Sequence, residues 1–234
     1  MRSPVLLFDL DGTITDPQIG IVRCMRYALE RLARACPPDK VLASFIGPPL
    51  RGTFSSLLET SDRELIEKAM ALYRQRFADQ GIYENQVYDG IPGMLETAHQ
   101  AGSVSFIATS KPAVYAERII KHFGLDGHFA KIYGSELDGR LENKTDLLAF
   151  LLRRERLPAG AAIMVGDRAA DILAARANGI RSIGVLWGYG SEAELTGAGA
   201  DKLCLTPAEL RSCLKIVDGD DLKTFFSARS RLRD

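Results

Sequence analysis

The sequence predicts an α/β protein built on a parallel sheet, with a helical segment inserted after the first strand. Two observations carry this. Short apolar runs recur along the 234 residues, most of them separated by helical patterns. That alternation yields a parallel sheet with right-handed crossovers. One interval, from Pro17 to about Gln86, breaks the alternation and shows helical periodicity alone.

The expected strands, in order, are VLLF (Val5–Phe8), VSFIAT (from Val104 to Thr109), KIYGSE (from Lys131 to Glu136), AAIMVG (from Ala161 to Gly166), RSIGVL (from Arg181 to Leu186) and KLCLT (from Lys202 to Thr206). Helical segments such as AVYAERIIKHFG and KTDLLAFLLRRER fall between them. Inside the interrupting interval, Asp16 reads as an N-cap with Pro17 at the first helical position. Val22, Met25, Leu29 and Leu32 form an apolar stripe that Pro37-Pro38 is expected to close. A short helix from Asp39 to Phe45 follows, then one carrying Leu50, Phe54, Leu57 and Leu58. Ser61-Asp62-Arg63-Glu64 resembles a capping box ahead of a long helix with Leu65, Ala69, Leu72 and Phe77 on one face. The expected organisation is a discontinuous α/β core, residues 1–16 and 87–214, a helical cap, 17–86, and a tail, 215–234, with no assigned role.

Composition narrows the function classes. With 46% hydrophobic residues the chain can bury a sizeable core, and 30 Lys+Arg balance 30 Asp+Glu with no strongly basic stretch. No nucleic-acid polymer is therefore expected as partner. Cys24, Cys36, Cys204 and Cys213 are scattered without a C-x-x-C pair, so neither a zinc site nor a disulfide framework is signalled. The N-terminal apolar run stops at Asp9 and no run approaches transmembrane length, so no membrane is expected and a cytoplasmic setting is the default.

The chemistry starts in VLLFDLDGTITD. Residues i and i+2 of a strand share a side, so Asp9 and Asp11 present two carboxylates to the crevice where open α/β sheets bind ligands. An Asx-turn closing the strand is the plainer reading. An EF-hand loop is excluded, because Ile14 and Gly20 stand where that loop needs glycine and glutamate. In VSFIATSKP, Thr109 and Ser110 precede a proline that opens a helix, and a hydroxyl with free N–H groups at a helix N-terminus suits a phosphate, as it also suits an ordinary cap. AAIMVGDRAAD ends a strand with Gly166-Asp167 and places Asp171 early in the next helix. Two acids there fit a hard divalent cation better than a core. Lys144 opens a helix, the unfavourable dipole end for a cation. It reads either as a solvated lysine or as one pointing at carboxylates and phosphate.

These strand ends, in this order, resemble the haloacid dehalogenase-like superfamily of phosphatases, with Asp9-Leu10-Asp11-Gly12-Thr13 as first motif, Thr109 as second, Lys144 as third and Gly166 to Asp171 as fourth. The resemblance runs from about Val5 to Leu210 and implies a Rossmann-like core. A helical cap between the first and second motifs marks the phosphoglycolate phosphatase-like branch, and FIGPPLRGTF, ENQVYDGIPGML, GSELDGR and WGYGSEAEL look most similar to phosphoglycolate phosphatases or 5′-nucleotidases. Ser110 departs from the asparagine common in relatives.

The resemblance implies that Asp9 is the nucleophile and Asp11 the acid/base. It implies Mg²⁺ held by Asp9, the Asp11 carbonyl and Asp167, with Asp171 as ligand or support. Thr109, the Ser110 N–H and Lys144 would hold the transferring oxygens, and Gly12 would permit the sharp turn. The implied partner is a small-molecule phosphomonoester. Arg51, in GPPLRGT, is the expected cap contact for a substrate anion or ribose, with a solvated surface arginine as the alternative. Arg74 and Arg76 are expected to face solvent. Trp187, in a Trp-Gly-Tyr-Gly loop, is expected to pack in the core more than to border the site; the cysteines and the three histidines carry no assigned function. A phosphosugar mutase would share nucleophile, acid/base and cap. A dehalogenase would not need Asp11, and a non-catalytic binding module would not need all four motifs.

Overall fold

The computed structural model describes residues 3–217. Its main sheet has six parallel strands: β1 (Val5–Phe8), β4 (Val104–Pro112), β5 (Lys131–Ser135), β6 (Ala162–Gly166), β7 (Arg181–Val185) and β8 (Lys202–Cys204). Two further strands, β2 (Thr15–Asp16) and β3 (Gln86–Val87), pair antiparallel where the chain leaves the sheet and returns to it. The spatial order β5-β4-β1-β6-β7-β8 places β1 in the middle: the chain runs outward through β4 and β5 on one side, then crosses to β6 and outward through β7 and β8 on the other. That makes the carboxyl end of β1 the topological switch point, where an open α/β sheet has a crevice.

Each of the six expected strands is present, and the differences lie at their ends. The largest is β4, which runs on to Pro112, its register slipping between Ala108 and Pro112. Thr109 and Ser110 therefore sit in extended chain, and the helix that follows, α6 (Ala113–His122), is preceded by Pro112 with no side-chain cap. Neither hydroxyl therefore caps that helix, the plainer of the two readings open in the sequence.

The pleat explains how one strand serves two cores. Leu6 and Phe8 face the same side as Ile91 and Leu95 of α5 (Ile91–Gln100), Ile120 of α6 and Leu210 of α10 (Pro207–Val217). Leu7 faces Leu147, Leu148 and Leu151 of α7 (Lys144–Glu155) and Ala174 of α8 (Ala169–Ala177). A near-continuous apolar run is what a strand covered on both faces requires. A smaller cluster joins Ile172 to Leu195 of α9 (Glu192–Ala198).

Between β2 and β3 lie α1 (Gln18–Arg31), α2 (Asp39–Ala43), α3 (Leu50–Leu57) and α4 (Arg63–Arg76), the last continuing as a π-helical turn over Phe77–Gly81. Val22, Met25 and Leu29 are buried on α1 as the stripe predicts. The helix ends well before Pro37, however, at Ala33 in the left-handed region (φ 52°). On α4, Asp62 accepts the N–H groups of Glu64 and Leu65. The buried face is Ile66, Ala69, Met70 and Tyr73, one position round from the predicted stripe, and Phe77 follows on the same side. Tyr73 stacks on Phe77 and meets Phe54 edge-on; burying these rings decides the rotation. No helix among the described residues is long and apolar enough to cross a membrane. The tail from residue 218 onward lies outside the described residues, and residues 215–217 continue the α10 backbone.

Phe8 is fully buried, sits in the central strand, and meets Phe129 edge-on with ring centres 6.2 Å apart. Phe8→Ala should cost about 3–5 kcal/mol, read as a lower urea midpoint at unchanged slope.

Candidate active site

The turn after β1 builds the site. The Asp9 N–H donates to the Val165 carbonyl (2.9 Å), carrying the ladder one residue past the strand and fixing Asp9 at the sheet's carboxyl edge. The chain then folds on itself: the Ile14 and Thr15 N–H groups donate to the Leu10 carbonyl (2.9 and 3.0 Å), and the Gly12 N–H to the Thr15 carbonyl (2.8 Å). Gly12 has φ +85°, and a Cβ there would lie 2.2 Å from Asp167 Oδ2. Only glycine combines that backbone with that approach. The loop after β7 closes the other side. The Tyr189 N–H donates to Asp167 Oδ2 (2.8 Å), Trp187 Nε1 donates to the Thr13 carbonyl (3.0 Å), and the Tyr189 hydroxyl donates to Asp16 Oδ1. Trp187 thus packs against the core, half-buried, and also braces the turn that carries Asp11.

Beneath the turn, Asp9, Asp167 and Asp171 each offer a carboxylate oxygen, all within 4.8 Å of one another, and all three residues are buried. Lys144, 7% exposed, reaches this group from the first turn of α7. Its ammonium lies 2.9 Å from Asp9 Oδ1 and donates to Asp171 Oδ1. Both oxygens of Asp171 are engaged, the second by the Arg168 N–H (3.0 Å). Asp9 Oδ1, although within ion-pair distance of Lys144, has no hydrogen bond of proper direction. Thr13 donates weakly to Asp167 Oδ1 (3.4 Å).

Three buried carboxylates face one ammonium, and the electrostatics record the crowding. Burial raises the Asp167 carboxyl well above its ordinary range, with repulsion from Asp171 and Asp9 adding to it. Burial also pushes Asp171 up to about 6, against the pull of Lys144. Burial works against the Lys144 charge, but Asp171 and Asp9 outweigh it and the ammonium is held above its ordinary value. A surplus of buried negative charge, an oxygen-only donor set and a hydrogen-bond-free oxygen on Asp9 fit a hard divalent cation.

Above this group a cleft opens between the sheet edge and the inserted helices. Asp9, Asp11, Thr109 and Ser110 line it from below, and Arg51 from above. Lys144, Asp167 and Asp171 lie under its floor rather than in its wall. Thr109 Oγ1 accepts the Lys111 N–H (3.2 Å), and the Ser110 carbonyl accepts from Ser135 (2.9 Å). Arg51 does not touch the sheet side; it pairs with Glu67 of α4 at 2.5 Å and is 44% exposed.

Two cleft residues escaped the sequence reading. Lys111 donates to Asp11 Oδ1 (2.7 Å) and lies 4.8 Å from the Phe77 ring centre, so one ammonium touches the sheet side and the inserted helices together. Its spacing from Thr109, two residues along an extended chain, was the available signal. Burial raises the Asp11 carboxyl, and the Lys111 ammonium only partly offsets this. Arg74, expected to face solvent, instead lines the cleft with a buried Nε. Arg76 is likewise held, by a two-pronged pair to Glu84 (2.7 and 3.0 Å). The rotation of α4 that buries Tyr73 brings its neighbour Arg74 round to the cleft. A further link crosses the cleft where Arg168, paired with Glu194 at 2.9 Å, donates to the Ile46 carbonyl.

Fold and site together place the chain among Rossmann-like α/β enzymes with an inserted helical segment. Residues 6–185 match the model of the haloacid dehalogenase-like hydrolases, and the chain belongs to that family. A 5′-nucleotidase of Pseudomonas aeruginosa is 45% identical over 92% of this chain and 97% of its own length. The tyrosine-protein kinase PtkA of Mycobacterium tuberculosis is 38% identical over 81% of this chain, which spans 64% of that protein. The crystal structure of a predicted phosphatase from Clostridium acetobutylicum superposes with a TM-score of 0.88 at 37% identity, covering 93% of this chain and all of the other.

Gly12→Ala should cost about 1–2 kcal/mol for its left-handed backbone and, in addition, push the Asp167 carboxylate aside. Thermal unfolding of the variant checks this; a wild-type midpoint would show that the turn accommodates a Cβ beside Asp167.

Proposed function

We propose that this protein is a Mg²⁺-dependent phosphatase that hydrolyses small-metabolite phosphomonoesters through an aspartyl-phosphate on Asp9. One observation carries the reading: Asp9, on the floor of the cleft, is fixed at the switch point of the sheet beside a buried lysine, with Asp11 at hand in the same cleft. The nucleotidase and phosphatase names of the similar proteins support it, and nucleoside 5′-monophosphates and phosphoglycolate are the candidate substrates.

In this mechanism a carboxylate oxygen of Asp9 attacks phosphorus. The bond to the leaving oxygen breaks, and Asp11 supplies the proton that the alcohol carries away. Asp11, now a carboxylate, takes a proton from water as it attacks the acyl phosphate, which returns Asp9 and releases inorganic phosphate. Splitting one displacement into two is the benefit of a carboxylate nucleophile. The upward shift of the Asp11 carboxyl by burial suits a group that must first be an acid. Thr109 and the Ser110 N–H hold the transferring oxygens, Lys144 supports them from beneath the cleft floor beside Asp9, and Lys111 orients Asp11. Asp9, the Asp11 carbonyl and Asp167 would hold Mg²⁺, with Asp171 as ligand or, through Lys144 and the Arg168 N–H, as support. The ion supplies neutralisation of the charge between carboxylate and phosphate dianion. The inserted helices exclude bulk water and choose the leaving group. Transfer to a hexose phosphate, as in a phosphosugar mutase, or to a tyrosine hydroxyl would use the same first step, and phosphate release separates hydrolysis from both.

Phosphate release from a panel of phosphomonoesters is expected with Mg²⁺ and should vanish in excess chelator; full activity in chelator sinks the proposal.

Asp9→Asn should abolish turnover. Asp11→Asn should slow it by about 10²–10⁴-fold, the ordinary share of general acid–base catalysis, and less for the first step of an aryl phosphate. Acid-quenched Asp11→Asn protein should carry a phosphate on the peptide containing Asp9, seen by mass spectrometry. An adduct on Thr109 or Ser110 would move the nucleophile elsewhere.

A further inference from the structure

We infer that Arg74 is the specificity-determining residue of the cleft, recognising a purine base that carries a carbonyl beside its imidazole-ring nitrogen. The inference rests on the phosphatase reading above and narrows its substrate.

Three cations line the cleft, and two are already paired: Lys111 with Asp11 at 2.7 Å and Arg51 with Glu67 at 2.5 Å. Arg74 has no ion pair and no hydrogen bond among the described residues, and its Nε is buried without an acceptor. A guanidinium keeps its charge and its five donors at any physiological pH, and a buried donor left unpaired is costly. Arg74 is therefore the one cation lining the cleft, among the described residues, whose guanidinium is left for an acceptor that a ligand would bring.

The surroundings say what kind of molecule brings that acceptor. The cleft that Arg74 lines is also lined by Met25, Phe45, Met70, Tyr73, Phe77 and Tyr115, and four of these six are less than a tenth exposed. A leaving group as small and hydrophilic as glycolate gains nothing from such a wall, whereas a planar heteroaromatic ring does. A ring with acceptors at its edge satisfies both features. The adjacent O6 and N7 of a 6-oxopurine are the pair that an arginine fork bonds twice; adenine offers N7 beside an amino donor, which a donor-only guanidinium cannot pair.

The test compares inosine 5′-monophosphate with adenosine 5′-monophosphate, which differ at that edge, and p-nitrophenyl phosphate, which has no base. The wild-type protein should favour the inosine nucleotide in kcat/KM by about tenfold, the scale of one good two-pronged base contact. Arg74→Gln should erase that preference mainly through KM, the loss on the inosine nucleotide exceeding that on the aryl phosphate at least several-fold. Arg74→Lys, which keeps charge and stem but not the fork, should lose the preference too, and serves if the glutamine variant does not fold. No preference in the wild type, or an equal loss on all three substrates, overturns the inference; the second result is the one expected if Arg74 merely closes on Glu136 or Glu142 across the cleft. Absence of phosphate release from every substrate would defeat the phosphatase reading instead. Calorimetric titration of inosine 5′-monophosphate into Asp9→Asn protein then decides Arg74 by itself: about tenfold weaker binding with Arg74→Gln added is expected, and unchanged binding refutes it.

Discussion

Everything at this site depends on the burial of more carboxylates than the chain can neutralise. Asp9, Asp167 and Asp171 converge within 4.8 Å, with Lys144 as their shared counter-charge. Isolated buried charges are expensive, and removing one partner of such a group leaves the rest uncompensated. Several features of the fold are the means of holding it: the tight turn at Gly12, the Tyr189 N–H on Asp167, the Arg168 N–H on Asp171, and the start of α7 aimed at the sheet edge. Lys144 stands at a helix N-terminus, where the dipole opposes it; two carboxylates outweigh that penalty, as its raised pKa reflects.

The same group links rigidity to chemistry. β1 is paired on both sides and covered on both faces, so the segment that carries Asp9 has little freedom. Asp11 is two residues further on, in the turn past the last ladder bond, and its carboxylate is held by the Lys111 side chain. On the proposed mechanism, a nucleophile fixed by the sheet and an acid whose carboxylate is held by one long side chain suit their different tasks: the first would be in line with phosphorus, the second would gain and lose a proton. Lys111 also lies over Phe77, so the position of the acid is coupled to the helices that close the cleft.

On the proposed function, the selectivity of the site would belong to those helices. The sheet side carries the carboxylates, hydroxyls and Lys111, whereas the opposite wall is largely apolar and aromatic, with two arginines of different standing. Arg51 is half in solvent and already paired; Arg74 is unpaired with its Nε buried. A paired, exposed ion contributes little discrimination. An unpaired one in the cleft wall is free to bond the right ligand.

The α/β class and the six strands were legible in the sequence, because a strand buried on both faces must be an unbroken apolar run. VLLF and AIMVG leave no other reading. The acidic residues of the site were legible too, since aspartates at the ends of such runs are conspicuous against them. What the sequence could not determine was which side chains meet across distant segments. The β2–β3 pair has two residues per strand and no periodicity of its own; it exists because the chain must leave and re-enter the sheet at one place. The face that α4 buries turned on packing Tyr73 against Phe54 and Phe77, a choice made between helices rather than within one. That rotation places Arg74 in the cleft wall, partly buried. Lys111 likewise reads as an ordinary lysine until the fold sets Asp11, a hundred residues away in sequence, 2.7 Å from it. Periodicity and polarity are local properties and the chain displays them; the pairing of remote charges is a property of the folded state alone.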